Sequence, residues 1–338
     1  MSDRYAQLVN APGLAKLAGG LGLPRPVELE RHREGTPVLS GAVLTGAAPG
    51  ARLERALKAT LDRIGVERAG AEGRAKALIF DASGISDSTE LVELQRFFYP
   101  GVGRLQRNGR VVVLGVPPAE AGSTRAATAQ RALEGFTRSL GKEVGGRGAT
   151  AQLVRVSAGG EEQLESTLRF LLSPKSAYVS GQVIEVGKGV APLPELDWER
   201  PLAGRTALVT GASRGIGRTI AMRLASQGAV VCAAARGDNV RETAAAIAAA
   251  GGRAEAYALD VTDGTAVGAF FEAVIAQHGR VDVLVNNAGI TRDQLMLTMR
   301  PARWRTMAFN TPWTHVKAPV RLVSRTASQS CRFIRSIS

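Results

Sequence analysis

From Gly41 onward the chain alternates short apolar or β-branched runs with longer stretches of helical periodicity. Buried parallel strands read as near-continuous apolar runs, so this pattern predicts βα units around a parallel sheet. The predicted strands are 42–45, 77–80, 111–114, 152–156 and 182–186, followed by a second series at 206–210, 230–234, 254–259 and 281–285. Residues 1–35 show helical stretches and no strand pattern. Between the two series lies the Pro-bearing stretch Gly189-Val-Ala-Pro-Leu-Pro-Glu-Leu-Asp-Trp-Glu-Arg-Pro201, which reads as a linker. The expected organisation is a lead-in over 1–35, a first domain over 36–190, a linker over 191–203 and a second domain over 204–338.

The two series resemble each other. Thr45-Gly-Ala-Ala-Pro-Gly-Ala-Arg52 parallels Thr210-Gly-Ala-Ser-Arg-Gly-Ile-Gly217, each directly after an apolar strand. Ile79-Phe-Asp-Ala-Ser-Gly-Ile85 parallels Leu284-Val-Asn-Asn-Ala-Gly-Ile290. The offset grows from 165 to 205 residues between the two pairs, so the first copy lacks about 40 residues, the size of one strand–helix–strand excursion. The chain reads as a degenerate copy followed by a sharper one.

Composition narrows the classes. At 338 residues with 45% hydrophobic and 22% charged positions, the chain has material for two globular cores. No apolar run reaches the length of about 18 residues that a membrane span needs. The N-terminus lacks the apolar core of a secretory leader, so a soluble cytoplasmic protein is expected. Two cysteines, Cys232 and Cys331, are too few for a disulfide framework or a cysteine-rich metal site, and no metal is expected. The net charge of +13 is unevenly spread: Gln294–Ser338 holds seven arginines, one lysine and no acid. These cations are interleaved with Trp304, Phe309, Trp313 and Phe333 without a period, which argues against a nucleic-acid-binding tail.

The candidate chemistry lies in Gly211-Ala212-Ser213-Arg214-Gly215-Ile216-Gly217, between a predicted strand and a predicted helix. In that setting one glycine makes a tight turn, one lets backbone approach a pyrophosphate, and one allows close helix–strand packing. The helix N-terminus supplies N–H groups and positive dipole. At the end of the next strand, an acid would hold a ribose 2′-hydroxyl, whereas a 2′-phosphate needs a cation. Here the sequence is Cys232-Ala-Ala-Ala-Arg236-Gly-Asp238, so NADP(H) is expected through Arg236 and Arg214, with NAD(H) as the alternative. Asp260 and Val261 end the third strand, where they would bracket an adenine, although Asp260 alone reads as a helix N-cap. Asn287, Ala288 and Gly289 end the fourth strand at the ligand-binding edge.

These motifs, in this order and spacing, resemble the N-terminal half of a short-chain dehydrogenase/reductase over residues 204–293. Thr291-Arg-Asp293 is similar to the 3-oxoacyl-acyl-carrier-protein reductases within that family. Residues 130–145 resemble the family's long helix after its active site, and 176–187 resemble its closing strand. A shortened first copy with a sharp second one looks like the high-molecular-weight 3-oxoacyl reductases of actinobacterial type, over about residues 5–293. The resemblance implies two Rossmann- or flavodoxin-like three-layer α/β domains with parallel sheets, the second incomplete. It also implies NADPH-dependent reduction of 3-oxoacyl thioesters on acyl carrier protein or coenzyme A in fatty-acid synthesis, and homo-oligomers formed through the helix matched by 124–144.

The resemblance further implies a Tyr-x-x-x-Lys pair, with Tyr as proton donor, aided by a Ser and an Asn. None of the four tyrosines, Tyr5, Tyr99, Tyr178 and Tyr257, has Lys four residues on. In the first copy Ala126 and Gln130 take the Tyr and Lys places, and Arg52 replaces the third glycine. In the second copy Asn310 and Ser338 fall near the Asn and Ser places, as positional candidates only. Beyond about 300 the pattern gives way to acid-free, arginine-rich text, and a shifted reading frame or broken gene is its simplest account. The expected activity is therefore that of the reductase family with catalysis by this chain in doubt. The alternative is a dinucleotide-binding remnant or regulatory protein without turnover.

Overall fold

The computed structural model describes residues 26–70, 73–189 and 196–289, together with 8–11, 13, 14, 20, 21 and 23 near the N-terminus. The chain divides into two compact units, Met1–Pro192 and Leu193–Ser338. Each is an α/β unit built on a parallel sheet.

The first unit runs β1 (Val43–Ala47), α1 (Glu54–Ile64), β2 (Ala75–Asp81), α2 (Val92–Arg104), β3 (Leu105–Gly115), α3 (Thr124–Gly145), β4 (Thr150–Val156), α4 (Leu164–Leu172) and β5 (Val183–Val186). Its strands lie in chain order, each parallel to the next. Alternate strand residues serve opposite faces, as the two-residue period requires. Leu78, Phe80, Val111 and Val113 pack with Leu94 and Phe98 of α2 and Leu133 and Leu140 of α3. Ala77, Ile79, Val112 and Leu114 pack with Leu57 and Leu61 of α1 and Leu164 and Leu168 of α4. Every residue of β2 and β4 is buried, which explains why those strands carry no alternation in the sequence.

One consequence of these layers concerns handedness. The strands advance in a single direction, while α1 and α4 cover one face and α2 and α3 the other. The crossovers through α1 and α4 therefore have the opposite hand to those through α2 and α3, although parallel crossovers almost always share one hand.

The second unit holds a counterpart of the crossover at α1. It runs β6 (Thr206–Thr210), α5 (Gly215–Ser226), β7 (Val230–Ala235), α6 (Val240–Ala249), β8 (Arg253–Ala258), α7 (Gly264–His278) and β9 (Val283–Val285), with strand order β8-β7-β6-β9. The chain leaves β6 outward through α5 and α6 on one face, then returns through α7 on the other face to β9. Removing everything between α5 and β9 would leave a helix on the first face leading straight to the neighbour on the other side of β6. That is the arrangement of β1, α1 and β2. The ladder also refines the internal correspondence. Thr45 pairs with Ile79, whereas Leu284 pairs with Leu208, so ladder-based equivalence matches Thr45 to Leu208 rather than Thr210.

Ends of elements follow local chemistry. Ser123 caps α3 by accepting the N–H of Ala126. Asp263, not Asp260, caps α7 by accepting from Thr265 and Ala266, and Gly279 closes it in the left-handed region at φ 72°. Asp260 closes a tighter turn, accepting the N–H and hydroxyl of Thr262 at 3.0 and 2.8 Å. Among the described residues no helix is long and apolar enough to cross a membrane.

Candidate functional site

The loop Gly211–Arg214 leaves the C-terminal end of β6 and enters α5, at the point where strand order reverses between β7 and β9. Open α/β sheets hold ligands at such a reversal. The three glycines take different parts. Gly211 has φ 67°, and an added Cβ would sit 2.9 Å from the Ala288 Cα and the Asn287 amide nitrogen. Gly217 lies against the Gly211 carbonyl and the Asn287 side chain, leaving no room for a Cβ. Gly215, at φ 59°, faces open space. Two glycines thus bring loop, helix and β9 together, and the third leaves backbone exposed.

Side chains beneath the loop hold its carbonyls. Asn287 donates from Nδ2 to the carbonyl oxygens of Thr210 and Gly211 at 3.1 and 3.2 Å. Thr210 Oγ1 accepts the N–H groups of Asn287 and Ala288, both at 3.1 Å. Thr243 of α6, fully buried, donates from Oγ1 to the carbonyl of Ala212 at 2.9 Å and to that of Ser213 at 3.4 Å. Arg214 precedes α5 in extended conformation, and among the described residues no side chain caps this helix. Its first N–H groups are thus left to a ligand or solvent.

Around this loop the remaining predicted residues gather at the same sheet edge. Arg236 follows β7, is exposed, and is close enough to Asp260 to act on its charge. Asp260 is held below the ordinary carboxylate range by the Thr262 N–H and hydroxyl first, and by Arg236 last. Asp238, two residues after Arg236 in the sequence, is drawn to Arg241 at 3.6 Å. Ile216 and Val261 leave 75% and 43% of their surface exposed. Asn310, Ser338 and the whole tail from residue 290 lie outside the described residues. Sequence reasoning missed Thr210 and Thr243. The one signal for Thr243 is a hydroxyl at a buried position of an otherwise Ala-rich helix.

Tyr257 does not serve this loop. Its hydroxyl donates to Glu255 at 2.7 Å beside Cys232, between β8 and α7, and burial drives its ionisation well above the usual range. Burial likewise raises the Cys232 thiol to about 11, so it is an inert core group. Among the described residues no three His, Cys, Asp or Glu side chains form a metal-holding group.

The corresponding edge of the first unit is filled from within. The buried carboxylate of Asp81 accepts the N–H of Leu53 at 2.8 Å and of Ser83 at 2.9 Å, occupying the mouth of α1. Arg52 reaches across the edge to Glu161 and the Val156 carbonyl. Gln130, at the place matched to the family's Lys, is fully buried. It accepts from Val116 N–H at 2.9 Å and donates to the carbonyls of Ala82 and Ile85 at 2.9 and 2.8 Å. Ala126 sits in the first turn of α3. Gln130 fastens α3 to β2 and β3 at this edge, and the Asp81 carboxylate already occupies the position at the mouth of α1.

The model of the short-chain dehydrogenase family matches residues 205–328. This stretch is similar to the short-chain dehydrogenases. The dehydrogenase segment is 46% identical over 101 residues to the 3-oxoacyl-[acyl-carrier-protein] reductase FabG of Escherichia coli, a match covering 30% of this chain and 41% of that protein. It is 48% identical over 102 residues to the short-chain reductase protein NovJ of Streptomyces niveus, covering 39% of that protein. A solved metagenomic short-chain oxidoreductase in complex with NADP is 49% identical, covering 30% of this chain and 47% of that one, at a TM-score of 0.28. The chain thus spans about two fifths of the length of the curated relatives it matches.

Proposed function

We propose that the dehydrogenase segment binds NADP(H) and belongs to the lineage that reduces 3-oxoacyl thioesters carried on acyl carrier protein or coenzyme A. The observation that carries the binding part is the glycine loop, with its carbonyls tied down by Asn287 and Thr243 and its Gly215 side open. The residues present fit a dinucleotide. The N-terminus of α5 with Ser213, Arg214, Gly215 and Ile216 would take the pyrophosphate, and Arg236 with Arg214 would take the 2′-phosphate. Asp260, Val261 and the turn Asn287–Gly289 would border the adenosine. NADPH, when bound, supplies hydride.

The acyl-thioester part rests on the reductases to which the segment is similar and on the order of its motifs. Reduction of a ketone also needs a proton donor beside the developing alkoxide. No tyrosine in the 338 residues has Lys four positions on, and Tyr257 is committed to Glu255. We therefore propose that these 338 residues bind the cofactor without turnover, and that the first unit serves structure or assembly. In the family's manner, assembly would use α3 as a homo-oligomer contact, in the cytoplasm.

The test is a pair of measurements on the intact chain: NADPH binding, and NADPH oxidation with a 3-oxoacyl thioester. Binding without oxidation is the expected result. Oxidation at a rate above the uncatalysed background would show a proton donor that this reading does not contain, and absence of binding would overturn the reading itself.

A further inference from the structure

Thr243 occupies the fourth position of α6, in the run Val240-Arg-Glu-Thr-Ala-Ala-Ala-Ile, and is fully buried. A buried hydroxyl needs a partner. Within a helix the nearest one is the carbonyl one turn back. Thr243 instead donates out of its helix to two consecutive carbonyls of the glycine loop, Ala212 at 2.9 Å and Ser213 at 3.4 Å.

The direction of those bonds matters. In a trans peptide the C=O and the following N–H point oppositely. Holding the carbonyls of Ala212 and Ser213 toward α6 therefore turns the N–H groups of Ser213 and Arg214 away from it. Among the described residues these two N–H groups form no hydrogen bond. Asn287 performs the same service for Thr210 and Gly211. Four successive loop carbonyls are thus secured by two side chains from two different elements. Without Thr243 the peptides on either side of Ser213 lose that constraint, and a flipped peptide would present an oxygen to an anion.

We infer that Thr243 is a positioning residue that sets the polarity of the loop peptides for the pyrophosphate of the dinucleotide. It acts through the backbone of residues 212–214 and touches no ligand. The inference rests on the dinucleotide reading above and adds a residue to it.

The experiment compares the unaltered chain with Thr243→Val, which keeps the shape and removes the donor, and Thr243→Ser, which keeps the donor. NADPH, NADH and adenosine 2′-monophosphate are each titrated calorimetrically, and the melting temperature is recorded. The loss of one shared buried hydrogen bond predicts about tenfold weaker binding of both NADPH and NADH by Thr243→Val. Adenosine 2′-monophosphate carries no 5′-phosphate to meet the loop N–H groups, so its affinity should be unchanged, and Thr243→Ser should return both dinucleotides to within about threefold. A merely structural role would lower the bound fraction and weaken all three ligands alike in Thr243→Val. That outcome, or unchanged dinucleotide affinity, overturns the inference while leaving the dinucleotide reading standing. Failure of the unaltered chain to bind NADPH overturns both.

Discussion

The carboxylate of Asp81 accepts the N–H of Leu53, 2.8 Å away, at the mouth of α1. Helix N-termini attract anions because their first N–H groups are unpaired and the dipole is positive there. The second unit leaves that position open at α5, whereas the first fills it with its own side chain. Ser83 N–H bonds to the same carboxylate, and Arg52 closes the edge toward Glu161. The two units share an architecture and differ in whether its anion position is available.

Asp81 makes stability depend on pH in a defined direction. Burial is the largest influence and raises its ionisation above the usual carboxylate value. A group whose folded pKa lies above its unfolded one binds protons better when folded, so its favourable contribution is complete below the unfolded value of 3.8. That contribution is lost as pH rises through the folded value. Asp81→Asn cannot titrate and leaves one of the two N–H donors poorly met, a cost of about 1–3 kcal/mol. Thermal unfolding followed between pH 7 and pH 4 should show the unaltered chain gaining on Asp81→Asn as the pH falls. A gap that shrinks on acidification would refute this assignment.

Arg236 should decide between the two nicotinamide cofactors. The neighbouring acid Asp238 is engaged with Arg241, and among the described residues no carboxylate pairs with Arg236 within ion-pair distance. Removing a charge-assisted contact to a phosphate predicts about tenfold weaker NADPH binding by Arg236→Ala, with NADH changed less than twofold. Equal losses for the two cofactors in equilibrium binding would place the 2′-phosphate elsewhere.

Glycines of the second unit should respond in opposite directions. Gly211→Ala forces a side chain into the left-handed region and against Ala288, which predicts destabilisation of about 1–3 kcal/mol and loss of NADPH binding. Gly268 lies inside α7 with open space around it, so Gly268→Ala should stabilise by about 1 kcal/mol through helix propensity and leave binding intact. Chemical denaturation of the two variants distinguishes these outcomes, and a stable, binding-competent Gly211→Ala would refute the role given to that turn.

Much of the fold is legible in the sequence because buried parallel strands are compact apolar runs. Each predicted strand overlaps an observed one, and the errors have physical origins. The apolar run starts the third strand at Val111, whereas β3 begins at Leu105. Asn108-Gly109 reads as a turn, and Asn108 does adopt φ 54°, yet the strand continues through it with a shift in its pairing to β2. The two-residue slip between motif and ladder equivalence was invisible, since moving a strand by two residues keeps every side chain on its face. The reversed crossover hand was also hidden, because it depends on which face each helix chooses.

At the loop, the glycines, Arg236, Asp260 and Asn287 announce themselves by residue type and place after a strand. Asp260 shows the limit of that reasoning. Its position suggested a cap on α7, but the structure gives the cap to Asp263 three residues later. Thr243 could not be found from the motif, because it lies 30 residues from Ser213 and meets it only through the packing of α6.

Where a dinucleotide binds is measured most directly by calorimetric titration of NADPH into the intact chain. One site per chain is predicted, abolished by Gly217→Ala in the second unit and unaffected by Arg52→Ala in the first. Two sites, or binding that survives Gly217→Ala and disappears in Arg52→Ala, would contradict the assignment of the open anion position to α5.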